Sequence, residues 1–157
     1  MRDLPIELNR VAVDLNALLV LAANESGHLV DVSTQNTSVD LQTLAVLAMA
    51  NLASSMQLLS LMQKDAAENG SLIAFIENGP ARLIIAGKQQ PGELIFVALL
   101  GAHSPLGLAR IEMQELSDMH WDVPIQIMDD ERTLIEQQLD AHNLFDNLFD
   151  LGGRDEQ

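Results

Sequence analysis

The feature that most constrains this chain is a helix-length stretch, about Val39 to Lys64, with no ionised side chain between Asp40 and Lys64. A surface helix of a globular protein normally carries a charged stripe, so a helix without one is expected to have little free contact with water. Two apolar seams run along it. Leu41, Ala45, Ala48, Leu52, Ser55, Leu59 and Met62 recur at alternating spacings of four and three; Leu47, Asn51, Ser54, Leu58 and Leu61 do the same on a different face. One seam can cover the sheet of its own domain, and the other then calls for a partner. The small residues Ala50, Ala53, Ser54 and Ser55 would let a second helix come close. The competing account is a larger single domain that hides both seams, for which little chain remains. Thr37 with Asp40 three positions later offers a weak capping box at the start.

Around this helix the patterns alternate between periods of 3.6 and 2. A short amphipathic helix is expected from about Asp3 to Leu15, with Asp3 as N-cap, Pro5 in the first turn, and Leu4, Leu8, Val11 and Leu15 on one face. Ala17–Ala23 and His28–Ser33 read as a hairpin around Asn24–Gly27. After the long helix, Leu72–Glu77, Arg82–Ala86 and Leu94–Leu100 read as a three-stranded antiparallel meander. Ser104 and Pro105 then suit the N-cap and first position of a last amphipathic helix, about Leu106 to Trp121. Leu108, Ile111, Glu115 and Met119 are its spaced positions, with Arg110, Glu112 and Asp118 among the polar ones. The order is α-β-β-α-β-β-β-α, a mixed α/β fold. Residues 1–121 form the expected domain and 122–157 an acidic extension. In that extension Asp129–Leu151 reads as a helix, with Leu144, Phe145, Leu148 and Phe149 on one face.

At 157 residues the chain suits one domain plus a tail. Its net charge of −15 argues against nucleic acid and anionic lipid as partners. The acid is uneven: Met1–Ile111 nets −4 and Glu112–Gln157 nets −11. With no cysteine there is no thiol nucleophile and no disulfide framework, which suits a reducing, cytoplasmic setting. No apolar run is expected to span a membrane, the N-terminus does not read as a signal peptide, and the sequons at Asn24, Asn36 and Asn69 are taken as chance.

Catalysis needs groups whose spacing lets them converge. The nucleophile elbow, phosphate loop, dinucleotide fingerprint and H-E-x-x-H motif are all missing. The histidines, His28, His103, His120 and His142, are scattered, and the plentiful carboxylates of the tail lie on a helix surface. The expectation is a chain that is not an enzyme, with no cofactor and no metal.

The segment from about Ala17 to Trp121 resembles the Roadblock/dynein-light-chain family. The resemblance rests on the Gly-containing first hairpin (Asn24–Gly27), the pattern Leu44, Ala45, Leu47, Ala48, Asn51 in the second helix, and Leu106-Gly107-Leu108-Ala109-Arg110 opening the last one. The end of the tail, Asp146–Asp150, is similar to that of the bacterial MglB-type members, which regulate a Ras-like GTPase. The resemblance implies a five-stranded antiparallel sheet, a homodimer joined edge to edge at the third strand, and second helices side by side. It implies, too, a partner GTPase whose hydrolysis is speeded without an arginine finger. Carried onto this sequence, the platform would be Leu47, Ala50, Asn51, Ser54, Leu58 and Leu61, and the docking tail Leu144, Phe145, Leu148 and Phe149. The alternatives are pure dimer packing for the platform and a helix folded onto its own domain for the tail. At the level of function, the alternative is a non-catalytic scaffold or light-chain-like subunit. The first helix is shorter than is usual in the family, so its contacts there do not transfer.

Overall fold

A computed structural model describes residues 2–34, 38–62, 71–88 and 90–122. Its first helix, α1 (Leu4–Asp14), begins where expected. The Asp3 carboxylate accepts from the backbone N–H of Ile6 at 3.4 Å, and Pro5 sits in the first turn, where its missing N–H costs nothing. Leu8, Val11 and Leu15 are fully buried along one face. Asn16, at φ 48°, ends the helix in the left-handed conformation that asparagine tolerates better than most residues, and the chain turns straight into the sheet.

The five strands are β1 (Ala17–Ala23), β2 (Leu29–Thr34), β3 (Leu72–Asn78), β4 (Ala81–Gly87) and β5 (Ile95–Leu100). They form one antiparallel sheet in the order β2-β1-β5-β4-β3. The central pair, β1 and β5, are the continuous apolar runs, as strands covered on both faces must be. In the β1–β2 turn, Asn24 Oδ1 accepts from the N–H groups of Ser26 (3.0 Å) and His28 (2.9 Å). Gly27 there has φ 85°, and a Cβ would lie 3.3 Å from Val46.

Between β2 and β3 the chain crosses from one edge of the sheet to the other through α2 (Leu41–Met62). Asp40 is itself the cap of α2: its carboxylate accepts from Thr43 N–H (3.2 Å) and the Thr43 hydroxyl (2.8 Å), and its carbonyl accepts from Leu44 N–H. The capping box is thus corrected, because Asp40 takes the role expected of Thr37, which lies outside the described residues. Both Thr43 bonds hold the Asp40 carboxyl below its usual pKa, the backbone one contributing most.

Alternation along the strands divides the core in two. On one face Leu19, Leu21, Ala23, Ile85, Ile95 and Val97 meet Ala45, Ala48 and Leu52 of α2. Gly87 allows that closeness, since a Cβ there would come within 3.2 Å of Leu52 Cδ2 and 3.1 Å of Ile95 Cγ1. The other face is covered by α1 and α3 (Leu106–Asp118). There Phe96 is fully buried, its ring centroid 6.2 Å from that of Trp121, whose Nε1 donates to the Leu116 carbonyl at 2.9 Å.

Three further expectations need correction. Ser104 does not cap α3: Pro105 occupies the cap position, and the buried Ser104 hydroxyl accepts from Gly101 N–H (2.9 Å) and donates to the Asn16 carbonyl (3.2 Å), tying two loops together. The buried face of α3 is Ala109, Glu112, Met113, Leu116 and Ser117, while Leu108 and Ile111 point to solvent. Glu112 reverses its expected place because Arg10 neutralises it through two bonds, Nη1 to Oε1 at 3.3 Å and Nη2 to Oε2 at 3.1 Å. This bond, aided by Glu7 and opposed by burial, holds the Arg10 guanidinium above its ordinary pKa. Finally, α2 is by length and composition long and apolar enough to cross a membrane, contrary to the expected absence of such a run. In this fold one side of it is seated on the sheet.

Candidate functional site

Helix α2 presents two unlike sides. The sheet-facing seam buries Ala45, Ala48 and Leu52, and Leu41 and Ser55 are half-buried. The same seam loses cover toward its end, where Leu59 and Met62 are exposed. The second seam lies open in the single chain: Leu47 and Leu58 are each 63% exposed and Leu61 84%, with Ala50 and Ser54 exposed between them. Asn51, half-buried beside them, has its Oδ1 shielded and without a hydrogen-bond donor among the described residues. The structure therefore brings the six residues of the expected platform onto one surface, but without the cover that an uncharged helix was expected to have. A contiguous apolar patch on an otherwise acidic protein has a large incentive to be covered, roughly 25 cal/mol for each Å² removed from water.

The surface extends beyond the helix. Strand β3 ends the sheet, so its outer backbone groups have no strand partner among the described residues. Ile76 on that strand, on the same face of the sheet as α2, is 40% exposed, while Phe75, on the opposite face, is 46% exposed. Sequence reasoning placed β3 but gave its side chains no role. The available signal was Ile73-Ala74-Phe75-Ile76, an apolar run longer than a strand with one solvated face needs. Across this surface the side chains are apolar, small or amide, and the chemistry they can perform is binding.

The described histidines do not converge. His28 lies in the β1–β2 turn, His103 is exposed in the β5–α3 loop, and exposed His120 has Nε2 3.7 Å from an Asp122 carboxylate oxygen. No group of three or more metal-ligating side chains occurs among the described residues. Leu144, Phe145, Leu148, Phe149 and His142, with the expected tail helix, lie outside the described residues.

One long helix on the first face of a five-stranded antiparallel sheet in this order, with two helices on the second, is the Roadblock/LC7 fold. The same fold is found in Myxococcus xanthus MglB, at 24% identity and a TM-score of 0.59, over 73% of this chain and 88% of that one. The gliding protein MglB of Thermus thermophilus matches at 16% identity and 0.60, over 75% of this chain and 89% of that one. A Roadblock/LC7 domain of Streptomyces avermitilis matches at 13% and 0.57, over 74% and 92%. At these identities the likeness is one of fold. No family model and no curated protein sequence matches the chain.

Proposed function

We propose that the protein is a cytoplasmic homodimer that regulates a small Ras-like GTPase through the free face of α2. One observation carries this reading: Leu47, Leu58 and Leu61 stand exposed on a helix that has no charge over its whole length. Two copies meeting at the β3 edge would set their α2 helices side by side, covering part of this face and leaving a shared apolar platform. Self-association has a precedent among proteins of this fold, one MglB structure being described with a tetrameric arrangement. Because α2 has no arginine or lysine from Leu41 to Met62, the platform would act by ordering residues the GTPase already owns, with no arginine finger. The expected activity is acceleration of hydrolysis or of nucleotide exchange, with no active site of its own.

The test is phosphate release from the GTPase at increasing concentrations of the dimer. Acceleration that Leu58→Glu abolishes supports the reading; unchanged hydrolysis and exchange across a wide range overturns it. The competing scaffold role is favoured instead if a non-GTPase partner is retained stably by a chain lacking residues 129–157.

A further inference from the structure

The Leu106-Gly107-Leu108-Ala109-Arg110 motif has no part in the platform, because α3 lies on the opposite face of the sheet. There Leu106, Gly107 and Arg110 line one wall of a groove of about 430 Å³, and Ile73, Phe75 and Ile84 line the other. The β3–β4 register puts Phe75 opposite Ile84 and Ile73 opposite Ala86, so the two β3 side chains share the α3 face. Phe75 is nearly half exposed, Leu106 is 40% exposed, and Gly107 has nothing within 4 Å of where a Cβ would stand. The groove is therefore open, and the glycine contributes width rather than a close contact.

Its electrostatics are as specific as its shape. Arg10 meets carboxylates, Arg82 donates to the carbonyls of Gly101 and Ala102, and Lys88 lies 3.9 Å from Asp118. Arg110, exposed at the groove, meets no acceptor among the described residues. Among the described residues, a chain of net charge −15 thus leaves this guanidinium without a carboxylate beside an apolar trough. A ligand complementary to both must join an apolar side chain to a carboxylate, since a neutral ligand leaves Arg110 unused and a merely acidic one is repelled by the rest of the surface.

We propose that this groove is a second docking site, which takes a segment of a partner protein carrying an apolar side chain next to an acidic one. The apolar side chain packs on Phe75 and Ile73 while the carboxylate pairs with Arg110. Lying on the face away from α2, the site can be filled while the platform is engaged. That makes the protein a two-sided adaptor, and the site holds independently of whether α2 binds a GTPase.

The test uses the full chain, with the backbone amide of Gly107 and the Nε–H of Arg110 as NMR reporters, and two capped peptides, Gly-Phe-Glu-Ile-Gly and its Glu→Gln counterpart. The acidic peptide should shift both reporters and bind at least about tenfold more tightly than the neutral one, as expected for a charge-assisted hydrogen bond. Arg110→Gln should bring the two affinities within about twofold. Gly107→Leu should weaken both peptides about tenfold with an unchanged melting profile, because its surroundings are open. Equal affinity of the two peptides, a preference that survives Arg110→Gln, or no binding of either peptide overturns the proposal. So does binding of 4-phenylbutyrate without binding of the peptides, which would assign the groove to small acids.

Discussion

Ser104 shows how one polar side chain holds two segments in place, and Asp40 how one secures the start of a helix. The Ser104 hydroxyl serves Gly101 N–H and the Asn16 carbonyl together, so Ser104→Ala leaves both without their partner in a nearly closed loop. A loss of about 1–2 kcal/mol follows, readable as a lower midpoint in urea at an unchanged slope. Asp40 makes stability depend on acid. Its carboxyl is held below the usual range by Thr43, so the stabilisation is complete above the unfolded value of about 4 and is lost as pH falls through the lower folded value. Acidification below about pH 4 should therefore lower the protection of the Thr43 amide relative to its intrinsic exchange rate. Asp40→Asn should remove that pH dependence, and a Thr43 protection factor indifferent to acid would refute the assignment.

At the scale of elements, α2 predicts opposite outcomes for leucines only a few residues apart. Leu52 is fully buried against the sheet, so Leu52→Ala should cost about 2–5 kcal/mol, removing apolar area and leaving a cavity beside Gly87. Leu58→Glu, on the open side, should shift the stability of a single chain by no more than about 0.5 kcal/mol while abolishing the proposed self-association. Thermal unfolding and sedimentation of the two variants separate the faces. A Leu58→Glu protein that still forms dimers at micromolar concentration would remove α2 from the interface. The α1–α3 layer is pinned differently, by the bidentate Arg10–Glu112 pair, which lets a carboxylate occupy a position that an apolar side chain would otherwise fill.

For the whole molecule, charge and apolar surface oppose one another. Two chains of −15 repel at long range, and the uncharged α2 face is where a second copy can approach with least penalty. Salt screens the repulsion and leaves apolar burial nearly intact, so association should strengthen several-fold between about 20 and 200 mM salt. Sedimentation equilibrium checks this. Weakening by salt would point to cross-chain ion pairs instead of the apolar face.

Much of this protein is determined by its sequence alone, because periodicity and caps are local. The order of eight elements, the extent of β1 and the Asp3 cap follow from spacings within a few residues. The two unlike sides of α2 were legible for the same reason, since 3.6-residue periodicity already separates Leu52 from Leu58. What tertiary structure decided were pairings that no local pattern encodes. Glu112 faces inward because Arg10, 102 positions away, comes to it, and Ser104 abandons capping for a carbonyl 88 positions away. The groove joins β3 and β4 to α3 only after the sheet forms. Such contacts depend on which strand lies at the edge and which helix covers which face, and those are settled by the packing of the whole chain, where long-range burial outweighs local preference.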